Sequence, residues 1–218
     1  MFEKLKAKYA ELVKAQMDKY KIDTSHFNDP IADKTDWSPL KAGGANFKSH
    51  TLEKISSSTM QYKLSTGGKI FLGLFAVIGL TAIIIGLILL FSGKGFSFFI
   101  ILFGSIFFGV SYLMYNTMGK PVTFDATMGL IWAGHKKPKF AGDNKSQQKL
   151  LYFNDIQAIQ IISERVRGNK TTYTSYEINM VLKDSTRFNV VDHGNHSQIL
   201  IDAEELSAFL GKPIWNVT

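Results

Sequence analysis

An α+β membrane protein is the fold class this sequence predicts, and three observations lead there. Two long stretches without ionisable groups, Ile70 to Phe91 (22 residues) and Phe96 to Tyr115 (20 residues), are separated only by Ser92-Gly93-Lys94-Gly95. Strand-like segments lie on both sides of this apolar block, and an amphipathic helical pattern closes the chain.

At the N-terminus, Phe2, Leu5, Tyr9, Leu12, Val13, Met17 and Tyr20 recur at steps of three and four, so an amphipathic helix is expected over 1–22. Its other face carries Lys4, Lys8 and Lys14, which suits either an anionic leaflet or a protein neighbour. Residues 23–45 are polar and broken by Pro30, Pro39 and Gly43-Gly44; they read as a linker with Trp37 as an anchor. Over 46–66 two strands are expected, Asn46 to Ile55 and Thr59 to Leu64, turning at Ser56-Ser57-Ser58. In the second, Met60, Tyr62 and Leu64 alternate with Gln61 and Lys63. A lone hairpin of this kind is marginal in water and needs further sheet.

The transmembrane hairpin is expected over 70–116. A hydrocarbon core about 30 Å thick takes about 20 helical residues at roughly 1.5 Å rise, so each apolar run is long enough to cross. The short link obliges the second helix to return antiparallel to the first. Core helices of a soluble protein would show a polar face, and neither run has one. Lys63, Lys69 and Lys120 flank the outer ends while Lys94 alone lies in the turn, which places both termini in the cytoplasm. No Asp, Glu, Lys, Arg or His interrupts either run, so the hairpin alone offers no ion or proton path. Gly79 and Gly86, seven apart, and the small-xxx-small pair Ser105 and Gly109 are the expected helix-packing positions.

Over 121–218 the strand pattern resumes. Val122 to Asp125 and Leu130 to Ala133 flank Met128-Gly129; Ile156 to Val166, Tyr173 to Leu182 and Arg187 to Val191 follow a polar loop. Tyr176, Ile178, Met180 and Leu182 keep a period of two, as a sheet covered on one face requires. Asn195 is the expected N-cap of a last helix, with Gln198 placed to reach back to the cap; Ile199, Leu200, Ala203, Leu206, Phe209 and Leu210 form its stripe, and Gly211 then Pro213 end it.

The stretches FDATMGLIWAG (124–134), FNDIQAIQIISERV (153–166), SYEINMVLKDSTRFNVVDHGN (175–195) and AEELSAFLGKPIWN (203–216) carry a resemblance. Together with the order of two strands, hairpin, five strands and helix, this chain resembles a group of largely uncharacterised bacterial inner-membrane proteins with a pleckstrin-homology-like (PH-like) domain. The resemblance implies a seven-stranded PH-like β-barrel with a C-terminal helix, the two-helix transmembrane hairpin being inserted between its second and third strands. It implies the bacterial inner membrane as location. Phosphoinositide-binding PH domains place Lys and Arg in the first β-turn; here that turn is Ser56-Ser57-Ser58.

Composition narrows the chemistry. The 218 residues include no cysteine, which excludes disulfides, thiolate metal sites and thiol nucleophiles. The formal charge is +7, yet twelve Lys against eight acids lie in 1–69 and twelve Lys or Arg against ten acids in 117–218. The basic excess flanks the apolar block, and no nucleic-acid partner is expected. Phosphate-loop, dinucleotide, nucleophile-elbow and His-Glu-x-x-His patterns are absent, and no cofactor is expected. Asp192, His193 and His196 are the candidate metal or proton-transfer cluster, against the simpler role of a turn and helix cap. Lys136, Lys137, Lys139, Arg165, Arg167 and Lys170 are candidate contacts for lipid phosphates or a partner. Three functions fit. A non-enzymatic membrane adaptor or scaffold binds the bilayer and a protein partner or its own copies; a membrane-surface lipid-handling or metal-dependent enzyme uses the Asp192 cluster; an accessory subunit serves a transporter or channel.

Overall fold

The computed structural model describes residues 22–40, 42–138, 150–168 and 171–218. The expected N-terminal helix falls outside them, except for Ile22, which is not helical; Lys139 and Lys170 also fall outside. The protein is α+β, with two apolar helices and two sheets. It divides into two compact units, Lys48–Leu150 and the chain on either side of that segment.

In the first unit, β1 (His50–Ser56), β2 (Thr59–Leu64), β3 (Val122–Asp125) and β4 (Leu130–Ala133) pair antiparallel in that order. The alternation of β2 does what the pattern predicts: Met60, Tyr62 and Leu64 are buried, and Gln61 and Lys63 are not. Met60 lies opposite Phe124 and Tyr62 opposite Val122, with the rings of Tyr62 and Phe124 packed edge-on at 6.4 Å. A short strand β5 (Leu150–Tyr152), which sequence did not suggest, is last in the strand order and stands where the chain leaves this unit.

Between the paired strands β2 and β3 the chain makes its two long helices. One helix runs Thr66–Phe91 and the other Ser97–Met118; both are long and apolar enough to cross a membrane. Ser65 alone joins β2 to the first of them, its side chain accepting the Gly68 N–H at 3.1 Å as an N-cap. Gly119, Lys120 and Pro121 join the second to β3.

In the second unit, β6 (Ile156–Arg167), β7 (Thr172–Leu182), β8 (Arg187–His193) and β9 (Ile214–Asn216) form a sheet in the order β8-β7-β6-β9. Strand β9, also unforeseen, pairs parallel to β6 after the last helix turns back. That helix, His196–Leu210, is capped by Asn195, whose side chain accepts the Gln198 N–H at 3.0 Å; Gly211, left-handed at φ 64°, ends it. The reciprocal arm of the expected box is not made: Gln198 donates to Asp202, and the Asn195 N–H goes to His193 Nδ1.

Two expectations need correction. The strands form two sheets, and among the described residues no closed barrel ladder joins them and nine strands are present rather than seven. The segment expected to be a linker is instead packed onto the second sheet. Asp29 caps a five-residue helix, α1 (Pro30–Lys34), with proline at its first position. Behind it Trp37 is buried; Phe27 stacks on Trp37 and both meet Trp215 tilted, with centroids 5.6 to 6.3 Å apart, in one cluster with Ala158, Ile162 and Val181. In chain order the apolar helices are therefore α2 and α3, and the closing helix is α4. Pro30, expected to break structure, starts a helix. Apolar burial of the aromatic trio explains why the segment adheres.

Candidate functional site

Helices α2 and α3 meet along small residues. Apart from Gly68 at the start of α2, the buried positions are Leu72, Gly79 and Gly86 on α2 and Ser97, Gly104 and Ser111 on α3, each set spaced by seven. Ser111 Oγ donates to the Leu72 carbonyl at 2.9 Å. Gly79 and Gly86 lie on this seam, where a Cβ on either would collide with α3 backbone or Ile101. Ser105 and Gly109 do not: Ser105 is exposed and bonds within its own helix, and the space beside Gly109 is open. The seven-residue spacing of Ser97, Gly104 and Ser111 was the signal that picks the right face. Elsewhere both helices present Leu, Ile, Val and Phe outward, including Phe91 at 89% and Phe96 at 70% exposure beside the turn.

The bases of both helices converge on the dipeptide Ser49-His50. The Ser49 carbonyl accepts the Ser65 N–H at 2.9 Å, and Ser65 Oγ donates to the Lys48 carbonyl at 2.7 Å, which fixes the start of α2. His50 Nε2 donates to the Met118 carbonyl at 2.9 Å, which fixes the end of α3; its Nδ1 faces Ser49 Oγ at 2.9 Å. A carbonyl can only accept, so the imidazole proton on Nε2 follows from the partner. Beyond β3 and β4, the Gly134 N–H donates to the Pro121 carbonyl, extending the ladder toward Lys120 and His135. The His135 ring stacks on Tyr115 of α3 at 6.3 Å.

Among the cations expected to contact phosphate, Lys136 and Lys137 are exposed in the first unit, Lys137 lying 3.6 Å from Asp125. Arg165 and Arg167 are exposed near the end of β6, two residues apart and therefore on one face of that strand. The two pairs belong to different units, so no single unit gathers the predicted basic set.

The cluster of Asp192, His193 and His196 is not assembled as a metal centre. Successive residues on a strand point to opposite faces, so Asp192 and His193 diverge. Asp192 accepts Asn189 Nδ2 at 2.6 Å; His193 is fully buried and accepts the Asn195 N–H at 3.2 Å; His196 stacks on Tyr176 at 4.6 Å and lies 2.9 Å from Thr218 Oγ1. Among the described residues no group of three His, Cys, Asp or Glu is placed to hold a metal ion. Turn and cap chemistry accounts for the cluster.

Sequence reasoning missed the polar face of the second sheet. On that face Gln160 lies opposite Asn179 and Asn179 opposite Asn189, while Glu177 lies opposite Asp192. The slip between Ile178 and Asn179 brings Asn189 and Asp192 to the same side despite their odd spacing. Gln160, Glu177 and Asn179 are essentially inaccessible, because residues 36–40 and 42–44 lie over them. Arg187 donates to the Ser38 carbonyl at 2.7 Å, to Asp36 at 2.9 Å and to Gln160 at 3.3 Å; Glu177 accepts the Leu40 N–H at 3.1 Å; Glu164 accepts the Gly43 N–H at 3.0 Å. Burial lowers the Arg187 pKa, and the charges of Asp36 and then Glu177 oppose that shift. A period of two therefore marked one covered face correctly while the other face is covered as well. Gly44 tolerates no side chain there, since its Cβ would fall 2.8 Å from Ser175 Cβ.

Neither protein-family models, nor curated proteins, nor solved structures give a match to this chain.

Proposed function

We propose that the protein is a non-enzymatic membrane-anchored adaptor or scaffold. Helices α2 and α3 cross the bilayer as a hairpin, both termini face the cytoplasm of a bacterial cell, and a PH-like domain built from the two sheets and α4 presents a binding surface for a protein partner or a second copy. The observation that carries this reading is the direct splice of the first sheet onto an apolar hairpin. Side chains such as Ile70, Leu74, Val77, Ile88, Phe98 and Leu113 are exposed around helices that meet along the small-residue seam and the Phe75–Phe107 stack. An apolar surface of that extent on a soluble monomer is unfavourable in water and is stable in lipid. Ser65 at one end and Gly119 to Pro121 at the other leave no slack, so whatever the first sheet binds is held at the membrane surface. With the three-residue strands β5 and β9 set aside, four strands around the hairpin, then three antiparallel strands, then a helix is the order that supports the PH-like reading.

The test is purification in mild detergent followed by mass measurement of the native particle. A homo-oligomer or a stoichiometric partner is expected. A strictly monomeric particle with no co-purifying protein overturns the adaptor reading.

A further inference from the structure

We infer that the second unit docks onto a second copy of itself, the exposed arginines of the β6–β7 ribbon in one copy meeting the exposed glutamates of α4 in the other. The inference rests on the adaptor reading and deepens it by naming the partner.

The ribbon outlasts the helix that covers it. Arg165 lies opposite Thr174 and Arg167 opposite Thr172, so these side chains share one face of the ribbon. Tyr176 continues the same row of β7 at the period of two, and His196 stacks on it at 4.6 Å, so α4 starts on that face. From there α4 runs away from the ribbon end: Phe209 packs edge-on to Phe153 at 6.2 Å, and the Pro213 carbonyl accepts the Ile159 N–H. Arg165, Arg167, Thr172 and Thr174 are therefore left bare. They form a step about 10 Å below the outer surface of α4.

The outer surface of α4 carries the opposite charge. It presents Ile201, Glu204, Glu205 and Ala208, which the helical period gathers on one side, with Ile201 49% exposed. Glu204 lies about 12 Å along the helix from His196, away from the arginines of its own chain. Among the described residues none of these arginines and glutamates is held in an ion pair. A two-fold axis lying in the plane of this face and across the strands sets each bare ribbon end over the partner's α4. The step then receives the partner's helix, Arg165 and Arg167 meet Glu204 and Glu205, and arginine stems and threonine methyls cover Ile201. An anionic lipid surface would satisfy the arginines but repel the glutamates on the same face. A second copy satisfies both.

The experiment uses the full chain in mild detergent, with association followed by analytical ultracentrifugation. The unaltered chain should dimerise. Arg165→Glu with Arg167→Glu, and separately Glu204→Arg with Glu205→Arg, should each weaken the dimer by about tenfold, because like charges then face each other. Mixing the two double variants should restore association, since each supplies what the other lacks at both contacts, and misfolded chains would not recover on mixing. A dimer insensitive to either double variant, or weakened variants that do not recover together, overturns the inference alone. An unaltered chain that is monomeric but co-purifies with a different protein does the same. A monomer with no co-purifying protein overturns the adaptor reading as well.

Discussion

Gly79 and Gly104 face each other across the hairpin so closely that a Cβ on Gly79 would lie 2.8 Å from the Gly104 carbonyl oxygen, and one on Gly104 only 2.6 Å from that of Gly79. Neither obstruction is the flexible end of a side chain, so even alanine requires the two helices to separate. Small residues at such a seam bring backbones together and maximise dispersion contacts where lipid supplies no hydrophobic drive between helices. Gly104→Ala should destabilise the hairpin by about 1–3 kcal/mol, the range for overpacking a close interface. Gly109→Ala should be neutral, because nothing lies within 4 Å of that position. Reversible unfolding in mixed detergent, followed by circular dichroism at helical wavelengths, checks the pair. Equal effects at 104 and 109 would overturn the packing register.

Arg187 fastens residues 36–38 to the second sheet. Its side chain is 5% exposed while that of Asp36 is 41% exposed, so the two halves of this ion pair are not equivalent. Losing the guanidinium strips the Ser38 carbonyl and Gln160 of a donor in a dry setting, which costs about 1–3 kcal/mol. Losing the Asp36 carboxylate leaves Arg187 two neutral acceptors, and water still reaches the Asp36 position. Arg187→Ala should therefore lower the denaturation midpoint more than Asp36→Ala. Trp37 and Trp215 are buried in this unit and provide the fluorescence signal. The reverse order would show that the exposed carboxylate, not the buried guanidinium, holds the segment.

Which features were legible in the sequence follows from the range over which their causes act. Uninterrupted hydropathy marks α2 and α3, and alternation marks β2 and β7, because each pattern is complete within one element. Asn195 and Gly211 announce the ends of α4 for the same reason. The Ser49-His50 clamp is a different case: His50 meets Met118 only because β1 returns to the hairpin base, and 68 positions separate them. Glu177 and Asn179 look like a solvent-facing edge until the segment beginning at Trp37 is laid over them. Strand β9 is three residues long, too short to show a period, and exists because Gly211 turns the chain back along β6. Small residues on α3 offered two faces; the register of Gly79 and Gly86 selects the one bearing Gly104.

Asp184 shapes the β7–β8 turn. Its carboxylate accepts the Thr186 hydroxyl at 2.6 Å and the Thr186 N–H at 2.9 Å, and these bonds, the hydroxyl first, hold its pKa below the ordinary aspartate value. A carboxyl group with a lower pKa in the folded than in the unfolded chain contributes stability that is complete above the unfolded value. That stability is lost as pH falls through the folded value. Acid sensitivity from this turn should therefore appear at and below the ordinary aspartate range, with no change near neutrality. Carbon-detected titration of the Asp184 carboxyl checks the direction of the shift, and Thr186→Val should move it back upward. A midpoint unaltered by that substitution would remove the hydroxyl as the main cause.

The chain contains no cysteine, so a single introduced thiol reports its own compartment without background. Lys94 lies in the link between α2 and α3, and Lys183 in the turn between β7 and β8. Two apolar helices joined by so short a link must enter and leave the bilayer on the same side, and flanking lysines favour the cytoplasm for that side. Lys94→Cys should react with a membrane-impermeant maleimide in intact cells stripped of any outer barrier. Lys183→Cys should react only after the membrane is opened. Labelling of Lys183→Cys alone in intact cells would show an inverted hairpin, and the same result at both sites, labelled or protected, would show that the hairpin does not separate them. The lysine count makes the first outcome the expected one, because moving Lys63, Lys69 and Lys120 across the bilayer is far less favourable than moving Lys94 alone.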